Sequence, residues 1–90
     1  MAILDRDTTL TRTRLAADAT AIGHAVLEGD LEEARFRAQL LRIQAEDLGL
    51  GEAANAALRV MLLLPVDHCR PERGIGLAVL RLCDSLGTRH

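Results

Sequence analysis

Apolar residues recur at helical spacing along almost the whole chain, and the pattern is clearest between Asp30 and Leu50, DLEEARFRAQLLRIQAEDLGL. Leu31, Ala34, Ala38, Leu41, Ala45 and Leu48 follow one another in steps of three and four. At about 100° per residue they share one side of a helix and make a bundle-type seam. The ends of this helix are also written in the sequence. Asp30 caps it, with Glu33 three residues on in a capping-box arrangement. Gly49 stops it, and Leu50 is placed to fold back as the apolar contact of the stop.

The same reading gives three more helices. Residues 1–6 read as a loose lead-in, after which Asp7 or Thr8 caps a helix of about 8–28 that carries Leu15, Ala19, Ile22 and Val26 on one face and ends at Gly29. His24 falls on the opposite side of that helix, with Ala17 and Ala21. The helix around 30–48 follows, then one of about 51–64 whose only polar side chains are Glu52, Asn55 and Arg59. A helix so apolar is either central or covered on two sides, and Pro65 ends it. After a connector at 66–70, Pro71 suits the first position of a helix of about 71–86, with Ile75, Val79, Leu82 and Leu86 as its seam. No run alternates like a strand and no long repeat is present. The expectation is one all-α domain over residues 1–90, an antiparallel up-down four-helix bundle; the alternative is a helical hairpin core completed by dimerisation.

The helix at 30–48 has a second apolar stripe. Phe36, Leu40 and Ile43 recur at steps of four and three, nearly opposite the seam. Two polar strips separate the stripes, one with Glu32, Arg35, Gln39, Arg42 and Glu46, the other with Glu33, Arg37, Gln44 and Asp47. Either another part of this chain covers the second stripe, or it is an exposed apolar patch rimmed by Arg, Gln and Glu. The second reading describes a protein–protein site, anchored by Phe36 and bordered by Arg35, Gln39 and Arg42.

Composition narrows the classes of function. Ninety residues that are 49% apolar make one folded domain that buries only a little over ~60% of its unfolded surface, so oligomerisation would help it. Phe36 is the one aromatic residue, which leaves no stacking platform for single-stranded nucleic acid. The net charge is −2 without a basic patch, which disfavours nucleic acid and anionic membranes as partners. All eleven basic residues are arginine, a usage associated with GC-rich bacterial genomes. No signal peptide or membrane-length apolar run is present, and two cysteines make no disulfide framework, so a reduced cytoplasmic protein is expected.

Residues 22 to about 64 resemble the central hairpin of histidine-containing phosphotransfer (HPt) domains. The resemblance rests on Gly29-Asp30, Ala38-Gln39, Arg42-Ile43-Gln44-Ala45, Leu48-Gly49 and the Ala-rich helix that follows. It implies a four-helix bundle from bacterial phosphorelays, with a receiver or histidine kinase domain as partner. It also places Gln39 where the family has its phosphoacceptor histidine, Arg42 at its lysine and Ile43 at its glycine. An amide is no nucleophile for phosphoryl transfer, so a non-catalytic, HPt-like adaptor or regulator is expected, and no enzyme. The alternative is a small homodimeric structural or adaptor protein outside any phosphorelay.

Other candidate chemistry is sparse. His24, His68 and His90 are alternative phosphoacceptors, but none falls on the family motif, and each reads more simply as a surface histidine. His68, Cys69, Cys83 and His90 are ligand types without the paired spacing of a zinc site, and Cys83 reads as a small core residue. Glu32-Glu33 is accounted for by the favourable N-terminus of its helix. No catalytic residue, metal or cofactor is expected.

Overall fold

The computed structural model describes residues 2–64 and 73–87, with the backbone alone for 2–9. It contains α1 (Ala2–Leu27), α2 (Leu31–Asp47), α3 (Gly51–Leu62) and α4 (Ile75–Ser85), and the described residues form no strand. The four pack as a ring in which α1 touches α2 and α4, and α3 touches α2 and α4.

Two turns of the same design connect α1, α2 and α3. Past α1, the Gly29 N–H donates to the Val26 carbonyl at 3.0 Å and the Asp30 N–H to the Ala25 carbonyl at 2.9 Å. Past α2, the Gly49 N–H donates to Glu46 at 3.1 Å and the Leu50 N–H to Ala45 at 2.8 Å. This paired closure satisfies the last carbonyls of each helix and needs a left-handed residue, which explains Gly29 at φ 80° and Gly49 at φ 75°. Asp30 and Leu50 each close one helix and cap the next with nearly the same backbone angles. They differ in chemistry. The Asp30 carboxylate accepts from the Glu33 N–H at 3.3 Å, whereas Leu50 has no side-chain cap and instead packs half-buried against the core. Replacing Asp30 by alanine is therefore expected to lower stability by about 0.5–1 kcal/mol, since the bond is long and exposed. Urea denaturation followed by circular dichroism checks this.

Three boundaries differ from the sequence expectation. α1 begins at Ala2, not near residue 8, so the expected lead-in is helical; no Gly or Pro interrupts residues 2–9, and extending a formed helix costs little. α4 begins at Ile75, because Gly74 stands before it in the left-handed region at φ 88°. α3 ends at Leu62, with Leu63 and Leu64 in the closing turn. Pro65, the connector at 66–70, Pro71, His68, Cys69 and the last residues through His90 lie outside the described residues.

The core is small-residue rich. Ten of the eighteen buried apolar side chains among the described residues are alanine. The larger ones are Leu15 and Ile22 of α1, Leu31 and Leu41 of α2, Val60 and Leu64 at the end of α3, and Leu82 and Leu86 of α4. A buried methyl contributes about 0.8 kcal/mol against about 1.5–3 kcal/mol for a Leu, Ile or Val. Alanine seams bring helix backbones close but give each contact little driving force. The expected seam of α2 is buried from Leu31 to Ala45, but Leu48 is 46% exposed. It is the C-cap residue that ends the helix. Val26, Ile75 and Val79 are only partly buried.

Candidate functional site: the outer face of α2

α2 is held in place on both flanks. On one, Arg35 donates to the Leu64 carbonyl at 3.2 Å, which ties the first turns of α2 to the end of α3. On the other, Gln44, Asp47 and Leu48 share a groove with Thr11, Arg14, Leu15 and Asp18 of α1. The strip with Arg35, Gln39 and Arg42 therefore borders α3, and the strip with Gln44 and Asp47 borders α1. Two ion pairs run along the helix, Arg37–Glu33 at 2.6 Å and Arg42–Glu46 at 2.9 Å. Both are one turn apart and partly exposed, worth about 0.3–0.5 kcal/mol each.

The second stripe faces solvent. Phe36 is 60% exposed, and Leu40 and Ile43 are exposed beside it. Among the described residues no other part of the chain covers them. Gln39 is also exposed, between Phe36 and Ile43 in sequence and toward the α3 side. Arg35 and Arg42 are half-buried. Arg35 is committed to the Leu64 carbonyl, and Arg42 pairs with Glu46 through one terminal nitrogen while its Nε is shielded from solvent without a hydrogen-bond partner. Phe36, Gln39, Leu40 and Ile43 thus form one outward surface, and the two arginines form its inner border.

Sequence periodicity alone missed two side chains that extend this surface. Leu58 and Leu62 of α3 are exposed, Leu62 at 70%. The flank of α3 toward α4 carries Glu52 and Ala56, which share a groove with Arg81, Asp84 and Ser85. At 100° per residue Leu58 lies on the other flank, toward α2, and Leu62 points away from the core. The sequence offers only a faint signal, that Leu58 and Leu62 are one turn apart and off the Ala53, Ala57, Val60 and Leu64 seam.

A second apolar feature lies on the opposite edge of the ring. α1 and α4 border a groove of about 380 Å³ lined by Thr20, Gly23, Val26, Leu27, Val79 and Leu80, with His24 and Cys83 also on its wall. A Cβ at Gly23 would sit 3.3 Å from Val79 Cγ1, so the glycine is what allows α4 this close to α1. Burial pushes the Cys83 thiol up; its hydrogen bond with Thr20 opposes this, and the Asp84 charge adds to it. Cys83 is therefore protonated at neutral pH and a weak nucleophile. It packs partly buried against the core, near the place expected of it. His24 is exposed and lies on the groove, away from the outer face of α2.

Among the described residues no three His, Cys, Asp or Glu side chains cluster as metal ligands. None of the described helices is long and apolar enough to cross a membrane. No known protein family, no curated protein and no solved structure matches this chain.

Proposed function

We propose that this chain is a non-catalytic protein-interaction module, an HPt-like adaptor or regulator of bacterial two-component signalling that docks through the outer face of α2. The observation that carries this reading is the exposed row Phe36, Leu40 and Ile43 with Gln39 beside it. A large aromatic and two aliphatic side chains left in water on a well-anchored helix are the centre of a contact surface. The phosphorelay assignment rests on the resemblance of residues 22 to 64 to the HPt hairpin, with Gln39 at the phosphoacceptor position. Partners of that class are a receiver domain or a histidine kinase domain in the cytoplasm.

The proposal includes the antiparallel up-down arrangement of the family. Three-residue turns joining α1 to α2 and α2 to α3 support it, as do two long-range contacts: Arg35 near the start of α2 with Leu64 after α3, and Arg12 in the first half of α1 with the Ser85 carbonyl at 3.4 Å at the end of α4. The second reading, a homodimeric adaptor without a phosphorelay role, is favoured by the Ala-rich core, beside which ten large apolar side chains among the described residues stay exposed.

The test is a binding titration against isolated receiver and kinase domains from the same genome. Replacing Phe36 and Ile43 together by aspartate is expected to weaken binding at least about 30-fold, the size of a hot-spot loss, with helicity unchanged. Equal binding by the doubly substituted and unsubstituted chains removes this face from the interaction.

A further inference from the structure

We infer that the docking face continues from α2 onto α3 and that its occupant is a second copy of this chain, paired face to face. The inference rests on reading the outer side of α2 as a contact surface.

Many larger apolar side chains stay outside a single copy. Among the described residues, eight apolar side chains larger than alanine are buried and ten large ones are exposed. A single copy leaves ten of its larger apolar side chains exposed, its only aromatic ring among them. Five of the ten lie on α2 and α3. Arg35 brings the first turns of α2 level with the end of α3, so Phe36 and Leu62 lie at the same level on the outer side of the hairpin, with the Arg35 and Gln39 strip between them. One turn along, Leu40 and Leu58 are level in the same way, because both helices advance by the same rise. Ile43 completes the patch.

Area decides what such a patch can do. The five side chains expose on the order of 500 Å², near the upper end of what monomers tolerate. A stable interface buries about 800 Å² per partner, roughly 60% of it apolar. The two rows together supply that apolar share, and Arg35, Gln39 and Arg42 run between them as polar surface. Charges of both signs line the rows, Glu32 and Glu46 with Arg35 and Arg42, so no single-sign field repels an identical copy. A two-fold pair sets the same surface against itself. Two adjacent helices with outward side chains fill that contact, whereas the concave α1/α4 groove facing its own copy would enclose a void. The paired α2 and α3 hairpins then share a second core made of the side chains the first core excludes.

Sedimentation equilibrium of the full chain from about 1 to about 100 µM reads the outcome. The expected mass at the upper end is twice the 9.8 kDa of one chain. Replacing Leu58 and Leu62 by glutamate should raise the dimer dissociation constant at least about 100-fold, while Leu27→Glu with Leu80→Glu on the opposite edge leaves it unchanged. A single-chain mass at every concentration overturns the second copy but not docking on a receiver or kinase domain, which the Phe36 and Ile43 titration reads separately. A dimer that survives the Leu58 and Leu62 changes overturns the location. A probe without a disruptive substitution uses the sole aromatic ring: 4-fluorophenylalanine at Phe36 gives one ¹⁹F resonance. It should move on dilution and gain a solvent isotope shift as the ring re-enters water; a resonance unchanged on dilution overturns the inference.

Discussion

Replacing Leu41 by alanine is expected to remove about 3–5 kcal/mol of stability, the upper part of the range for buried leucines. Leu41 is 1% exposed on α2, the helix that packs on both α1 and α3. Its seam neighbours are Ala38 and Ala45, both fully buried. Alanines have no side chain to swing into the space that a missing isobutyl group leaves, so the cavity persists. A domain of this length has a total of only about 5–13 kcal/mol to lose. Urea denaturation followed by far-UV circular dichroism should show the midpoint fall with the slope nearly unchanged. Leu48→Ala, on the same periodic seam but 46% exposed, should cost less than about 1 kcal/mol. Equal losses at the two positions would mean that α2 is not packed as described.

That contrast marks what the sequence could reveal. Asp30, Gly29 and Gly49 were legible because caps and stops act within one turn of the backbone, and their signals are local. The seam from Leu31 to Ala45 was legible because α2 alternates sharply between apolar and charged positions. The start of α1 was not, because nothing in residues 2–7 distinguishes a lead-in from one more helical turn. Leu48 continues the spacing perfectly, yet it is the cap that ends the helix, and periodicity does not register where a helix stops.

The candidate surface was half legible for a related reason. Phe36, Leu40 and Ile43 stand out because polar strips isolate them on α2. Leu58 and Leu62 do not, because α3 has only Glu52, Asn55 and Arg59 to mark its outside. Which of its flanks meets α4 and which meets α2 is a tertiary fact. The α1/α4 groove is tertiary in the same way: Gly23 gives no hint in sequence that its missing Cβ accommodates Val79.

Installing histidine at position 39 separates the phosphorelay reading from a purely structural one. Mixed with a phosphorylated receiver domain, the unsubstituted chain is expected to take no label, since the Gln39 amide nitrogen is delocalised into its carbonyl and offers no nucleophilic lone pair. In Gln39→His, an imidazole occupies an exposed position on the outer face of α2. Transfer would form an N–P bond to that ring as the acyl-phosphate P–O bond of the receiver aspartate breaks, returning the carboxylate. Arg42 lies one turn further along and supplies positive charge, though Glu46 at 2.9 Å shares it. Ile43 crowds the approach of the receiver. Gln39→His combined with Ile43→Gly is therefore expected to take acid-labile, base-stable label, with Gln39→His alone taking less. Circular dichroism should show both folded, at a loss of about 1 kcal/mol for the helical glycine. Label on the unsubstituted chain, lost on His24→Ala or His68→Ala, would make it an active phosphotransfer protein and end the non-catalytic reading. No label on any variant, from every receiver domain that binds, would leave the HPt likeness as one of helical architecture and the face of α2 as a contact surface outside the phosphorelay.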